Sequence, residues 1–289
     1  MFKGSGVAII TPFTKNNKIN YTKFAELIEY QIKNQTDAIV VCGTTGEAST
    51  LSENEKKELI NFTVEVVKKR IPVIAGTGGN NTSNVVTLSK YAQKVGADGL
   101  LIVTPYYNKC TQNGLYLHYK EISDNVNIPI ILYNVPSRTG VNIETETLVK
   151  LSNLPNIIGI KEASSNISQI MDIFSRIDKK FLVYSGNDDQ ILPILSLGGQ
   201  GVISVLANIY PKETHDICYE FFNGNIDVSR QLQFKYLDLI KSLFKEVNPI
   251  PIKEALNYLG YDVGKCRLPL CDMSTKNKDL LINNILKIK

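Results

Sequence analysis

Residues 157–166 read IIGIKEASSN. Ile157, Ile158, Gly159 and Ile160 form a short apolar run without alternation, the pattern of a strand covered on both faces. Lys161 follows at once, with no polar lead-in. A lysine at that position either emerges into solvent, its stem lying on apolar surface, or ends a strand at the mouth of a closed sheet. The rest of the chain decides between the two.

Seven further runs of the same kind occur: VAII at 7–10, AIVV at 38–41, PVIA at 72–75, GLLIV at 99–103, PIILY at 129–133, FLVY at 181–184 and GVIS at 201–204. Helical patterns lie between them. Phe24, Leu27, Ile28 and Ile32 fall on one face at helical spacing. Ser52 and Glu55 form a capping-box signature before a helix running towards Arg70. Strand and helix alternating eight times over about 220 residues predicts an α/β fold, a (β/α)8 TIM barrel.

After Gly224 the strand-like runs stop. Leu232, Tyr236, Leu237, Ile240, Leu243 and Phe244 mark an amphipathic helix, and NPIPIKEALNYLG places Pro251 at a helix start and Gly260 at its stop. The expected organisation is a catalytic barrel over residues 1–224 and a C-terminal helical appendage over 225–289.

Composition narrows the function classes. The net charge of +4 is a near-cancellation of 32 basic and 28 acidic residues with no basic stripe, which argues against nucleic acid and against a membrane surface. The five cysteines form no Cys-x-x-Cys pair, the usage of a reducing compartment, so a cytoplasmic location is expected. His118 and His215 stand far apart with no second ligand at metal spacing, and no metal site is expected. The apolar run in MFKGSGVAIITPF is too short for a signal peptide and ends at Pro12. No stretch approaches the roughly 20 apolar residues of a membrane span.

Barrel enzymes carry their chemistry at the carboxyl ends of the strands. Those ends hold CGTTGE after strand two, TPYYN after strand four, YNVPSRTG after strand five, Lys161 on strand six, SGNDD after strand seven and Ile203 on strand eight. A lysine attacks carbonyl carbon only when neutral. A free lysine titrates near 10.4, so about one in a few thousand is neutral at pH 7, and an apolar setting shifts that balance by desolvation. Lys161 among isoleucines therefore suits a Schiff-base lysine, which converts a ketone to an iminium and stabilises a carbanion beside it. Tyr133 offers a phenol for proton transfer with Thr44 as a relay, or is a core aromatic with a satisfied hydroxyl. Gly43 and Gly46 let the chain turn tightly around Thr44 and Thr45, either as a carboxylate cradle or as an ordinary turn. Arg138 is a fork for a second carboxylate or one half of a rim salt bridge.

Taken together, CGTTGEAST, YNVPSRTG, IIGIKEAS, GGQGVISV and NPIPIKEAL resemble the dihydrodipicolinate synthase family along essentially the whole chain. The resemblance implies condensation of pyruvate with L-aspartate-4-semialdehyde on the diaminopimelate route to lysine. It gives Lys161 the Schiff base, Tyr133, Thr44 and Tyr107 the proton relay, Thr45 and the Ile203 backbone the hold on pyruvate, and Arg138 the semialdehyde carboxylate. It also implies no metal or organic cofactor, and a homo-oligomer in which Tyr107 enters the neighbouring subunit's site, a dimer at minimum and usually a tetramer of paired dimers. Lysine-inhibited members line a dimer-interface pocket with imidazoles and a carboxylate. The corresponding positions here are Ser49, Glu53, Lys56 and Asn84, beside Asn80 and Tyr106, so weak or absent inhibition by lysine is expected.

Three rival readings use parts of the same pattern. N-acetylneuraminate lyases and keto-deoxy sugar-acid aldolases share the lysine and tyrosine, but Arg138 in SRTG favours the synthase. A phosphate-binding barrel isomerase would use the glycine-rich LGGQGV, yet leaves Lys161, Tyr133 and Arg138 without a joint role. A non-catalytic binding homologue would have no need of these residues intact.

Overall fold

A strand that is apolar on both faces needs cover on both, and a closed barrel gives it side chains inside and helices outside. The structure, a computed structural model, describes residues 1–288. Its strands are β1 (Gly4–Ala8), β2 (Ala38–Val41), β3 (Val73–Gly76), β4 (Gly99–Val103), β5 (Ile130–Asn134), β6 (Ile157–Glu162), β7 (Leu182–Ser185) and β8 (Gly201–Ser204). Each pairs in parallel with its neighbour in sequence, and β8 closes on β1. The intervening helices are α1 (Tyr21–Lys33), α2 (Glu53–Val67), α3 (Thr82–Lys94), α4 (Gln112–Asn125), α5 (Pro136–Thr139), α6 (Thr145–Leu151), α7 (Ile167–Arg176) and α8 (Ile191–Ser196). After β8 come α9 (Pro211–Phe222), α10 (Ile226–Leu243), α11 (Ile250–Tyr258) and α12 (Thr275–Leu286). This is the (β/α)8 barrel with C-terminal helices.

Local signals behave as their chemistry dictates. The Ser52 hydroxyl accepts from the Glu55 amide and the Glu55 carboxylate accepts from the Ser52 amide, closing the capping box of α2. Helix α1 buries Phe24, Leu27 and Ile28 against the barrel. Strand β1, by contrast, lies three residues earlier than VAII suggests. A Cβ on Gly6 would stand 2.8 Å from the Phe2 ring, so the glycine admits that ring beneath the barrel, where it stacks on Tyr184 at 4.4 Å. An apolar pattern search passes over a glycine whose value is the space it leaves.

Strand β6 contains a detail on which the site depends. Its register with β5 runs Ile130 to Ile157 and then Ile131 to Gly159, so Ile158 is an extra residue. Such a bulge re-phases the strand. Ile157 and Ile160 both pack in the outer core under the helices, whereas strict alternation would put them on opposite faces. With the bulge, Ala163 joins the interior cluster with Tyr133, Tyr184 and Ile203, and Lys161, two residues before it, shares that phase.

The C-terminal helices share the core of the barrel. Tyr236, Leu239, Ile240 and Leu243 of α10 are buried in the same cluster as residues of the strands and of α1–α4, α6 and α7, with Leu232 partly buried against it. Phe244, expected on that face, is 41% exposed because α10 ends at Leu243. Pro251 lies in the first turn of α11. The helix stops at Gly260, whose φ of +88° lets its amide reach Asn257 O and the Tyr261 amide reach Leu256 O. The 224/225 position falls in the turn between α9 and α10, across which the core is continuous. Among the described residues no helix is long and apolar enough to cross a membrane.

Candidate active site

Two lysines are buried, and they are buried differently. Lys253 is 2% exposed and pairs with the equally buried Glu47, the usual condition for hiding an ammonium. Lys161 is 5% exposed, and among the described residues no carboxylate forms an ion pair with it. Its Nζ instead lies 4.4 Å from the centroid of the Tyr133 ring, and the two residues are directly in register across β5 and β6. Tyr184 flanks Lys161 on the other side, in register on β7.

Room for this lysine is made by Gly186, immediately after β7. A Cβ there would stand 3.1 Å from Lys161 Cε, 3.1 Å from Glu162 O and 2.7 Å from the Ala163 Cβ. Below it, Asp188 is buried and accepts from the amides of Val205 and Leu206 at 3.0 and 2.9 Å, tying the loops after β7 and β8 together. Burial holds its carboxyl above the usual range, with bonds from the Ser204 hydroxyl and the Leu206 and Val205 amides pulling it back. Glu162 points to the opposite side of β6 from Lys161, where it accepts from Asn134 Nδ2 and from the Ser164 amide at 2.7 Å. Burial likewise raises its carboxyl. Neither Gly186 nor Asp188 stands out in SGNDD, although a glycine directly after a strand end was the available signal.

The CGTTGE loop is folded on itself by bonds from the Gly46 and Ala48 amides to Gly43 O and from the Glu47 amide to Thr44 O. It is also held from far along the chain. Glu47 pairs with Lys253 of α11 and accepts from the Arg267 amide at 2.8 Å. Asn248 Nδ2 donates to the Thr45 hydroxyl at 3.0 Å. Arg267 also forks onto the Glu55 carboxylate, which it holds below the usual range.

A cavity of about 270 Å³ has Thr44, Tyr133 and Arg138 among its walls; Lys161 is not itself a wall and adjoins it through the Tyr133 ring. Arg138 is on the short helix α5 at the rim. The other four arginines of the chain, Arg70, Arg176, Arg230 and Arg267, all pair with carboxylates, while Arg138 pairs with none among the described residues. The rim salt bridge is therefore not formed, and the guanidinium is free to meet a ligand. Cys42 also lines this cavity, but burial pushes its thiol up to about 12, so it is no rival nucleophile. Among the described residues no cluster of ligating side chains could hold a metal ion.

The structure thus brings Lys161, Tyr133, Thr44 and Arg138 to one end of the barrel. Ile203 packs in the same interior cluster as Tyr133. Thr45 is adjacent but 2% exposed, with its hydroxyl bonded to Asn248 rather than lining the cavity. Tyr107 is not brought to the group at all: it is 91% exposed. Its φ of +74° and the bonds of Asn80 and Asn108 to neighbouring backbone hold the loop that presents it outward. A second, smaller cavity of about 130 Å³ contains Glu53, Lys56, Asn80, Asn84 and Tyr106, whereas Ser49 lines the first. Lys56 and Tyr106 border both.

The chain as a whole is similar to known proteins. The profile of the Dihydrodipicolinate synthetase family matches residues 1–288. The chain is 59% identical over 281 residues to 4-hydroxy-tetrahydrodipicolinate synthase 1 of Clostridium acetobutylicum, covering 97% of this chain and 96% of the relative. The crystal structure of dihydrodipicolinate synthase from Aquifex aeolicus superposes with a TM-score of 0.97 at 46% identity, covering 99% of this chain and 98% of the other. The enzyme from Cyanidioschyzon merolae, solved with lysine bound, gives a TM-score of 0.97 at 38% identity over 99% of this chain and 98% of its own.

Proposed function

This chain belongs to the Dihydrodipicolinate synthetase family, and from that premise we infer that it condenses pyruvate with L-aspartate-4-semialdehyde, as a 4-hydroxy-tetrahydrodipicolinate synthase does. It is a lyase of the lysine and diaminopimelate route. The observation that carries the site assignment is Lys161 itself, a buried amine without a carboxylate partner at the carboxyl end of a barrel strand.

In this reading Lys161 Nζ attacks the ketone carbon of pyruvate, and the carbonyl oxygen leaves as water once protonated. The resulting iminium acidifies the methyl group, and loss of a proton gives an enamine whose carbon attacks the aldehyde of the second substrate. Tyr133, in register with Lys161, is the group of suitable reach to carry these protons, with Thr44 passing them on towards Tyr107. Thr45 and the Ile203 backbone hold the pyruvate carboxylate, and the unpaired Arg138 receives that of the semialdehyde. Because the iminium is the electron sink, the scheme calls for no metal or organic cofactor.

The outward Tyr107 makes the site of one chain incomplete. We therefore read the working form as a homo-oligomer, a dimer at minimum and a tetramer of paired dimers in full, with Tyr107 supplied across an interface. A reducing, cytoplasmic setting suits the five free cysteines. The test is borohydride reduction in the presence of pyruvate followed by peptide mapping. A stable adduct on Lys161, lost in Lys161→Ala, supports the assignment. Activity without any trappable adduct overturns it.

A further inference from the structure

We propose that Asn248 is a positioning residue for the keto acid: by donating to the Thr45 hydroxyl, it leaves that hydroxyl's hydrogen directed at the substrate carboxylate. The proposal deepens the reading in which Thr45 holds pyruvate, and rests on it. A threonine hydroxyl has one hydrogen to give and two lone pairs to receive with. A carboxylate can only accept. Thr45 serves such a ligand only if its hydrogen is not drawn elsewhere, and an unassisted hydroxyl rotates to whichever acceptor is near.

The geometry narrows that freedom, because a donor occupies one of the two lone pairs and the hydrogen must point elsewhere. Asn248 Nδ2 donates to Thr45 Oγ1 at 3.0 Å across 203 positions of sequence, and the two side chains are 5% and 2% exposed. Asn248 Oδ1 is buried with no hydrogen-bond partner. Turned the other way, the amide would accept the Thr45 hydrogen and leave its NH₂ donors without that partner. The observed orientation thus costs one unpaired acceptor and keeps the hydroxyl hydrogen available. A residue serving only to fill space there would not need an amide. The backbone that carries Asn248 leads straight into α11, whose Lys253 pairs with Glu47, so one segment of the tail fixes both the loop and the hydroxyl within it.

Steady-state kinetics of the full chain test the proposal with Asn248→Ala, Asn248→Asp, Thr45→Val and the Thr45→Val/Asn248→Ala double variant. Asn248→Ala is expected to raise the KM for pyruvate about tenfold while the KM for the semialdehyde stays within about twofold. Asn248→Asp keeps the shape but accepts the Thr45 hydrogen and sets a negative charge near the carboxylate, so its pyruvate KM should rise further than that of the alanine variant. In the Thr45→Val background, Asn248→Ala should add little. A pyruvate KM unchanged in Asn248→Ala, an aspartate variant milder than the alanine one, or fully additive effects would each overturn the proposal. If Thr45→Val leaves pyruvate binding untouched, the underlying reading of Thr45 fails and takes this inference with it.

Discussion

Replacing Lys253 by methionine removes the ammonium and keeps most of the stem. The Glu47 carboxylate then stays in a site that is 2% exposed, retaining the Arg267 amide as a donor but losing its countercharge. Breaking one side of a buried ion pair costs about 3–5 kcal/mol. Burial already pushes the Lys253 ammonium below the usual lysine range despite Glu47, a sign of how little water reaches the pair. For a chain of 289 residues, an unfolding entropy of about 2.1 cal/mol/K per residue converts that cost into a Tm lowered by about 5–8 °C. Replacing both partners, as Glu47→Gln with Lys253→Met, removes the stranded charge and should recover most of the loss. Calorimetric melts of the wild type, both single variants and the double variant at neutral pH give the coupling between them. A drop under about 1 °C in Lys253→Met, or a double variant that simply sums the singles, would refute the view that this pair holds the CGTTGE loop.

Other consequences are as direct. Gly186→Ala should cut turnover at least about tenfold, with weaker borohydride trapping on Lys161, because its Cβ presses on Lys161 Cε; overpacking of about 1–3 kcal/mol should lower Tm by only about 2–5 °C. His118 donates to or accepts from Thr82 at 2.9 Å, and burial lowers its pKa to about 4. Since the unfolded chain protonates this imidazole near 6.5 and the folded chain does not, its contribution is complete above that pH and is lost as pH falls towards 4, about 2 kcal/mol by pH 5. Denaturant melts of His118→Leu across that window should show the slope reduced, and an unchanged slope would contradict the assignment. Initial rates in millimolar lysine should stay near the uninhibited value, because Lys56 and the neutral Asn84 in the second cavity suit a cationic effector poorly; a sharp fall would show otherwise.

The barrel was legible because its strands are written as apolar runs, and the lysine and tyrosine because each stands at the end of one. What stayed hidden depends on groups meeting across the fold. The bulge at Ile158 is invisible in IIGI, where every residue is apolar or glycine and phase leaves no mark. Strict alternation from Ile157 would send Lys161 outward with it. The roles of Gly186 and Gly6 lie in absent atoms, and no periodicity registers an absence. Asn248, Lys253 and Arg267 read locally as a helix and its flanks, since their partners at 45–55 lie about two hundred positions away. Arg138 had two readings in sequence, and only the missing rim partner separates them.

The loop carrying Thr44 and Thr45 is synthesised about two hundred residues before the groups that brace it, Asn248, Lys253 and Arg267. A nascent chain that has made its last strand, complete at Ser204, therefore still lacks the groups that fasten its substrate loop. A chain stopped before Asn248 would hold every strand of the barrel but none of these three braces, and would also lack the core side chains of α11 and α12. Turnover in this enzyme then reports that synthesis has run well past the last strand, as far as Arg267, and not merely that the sheet has its eight members.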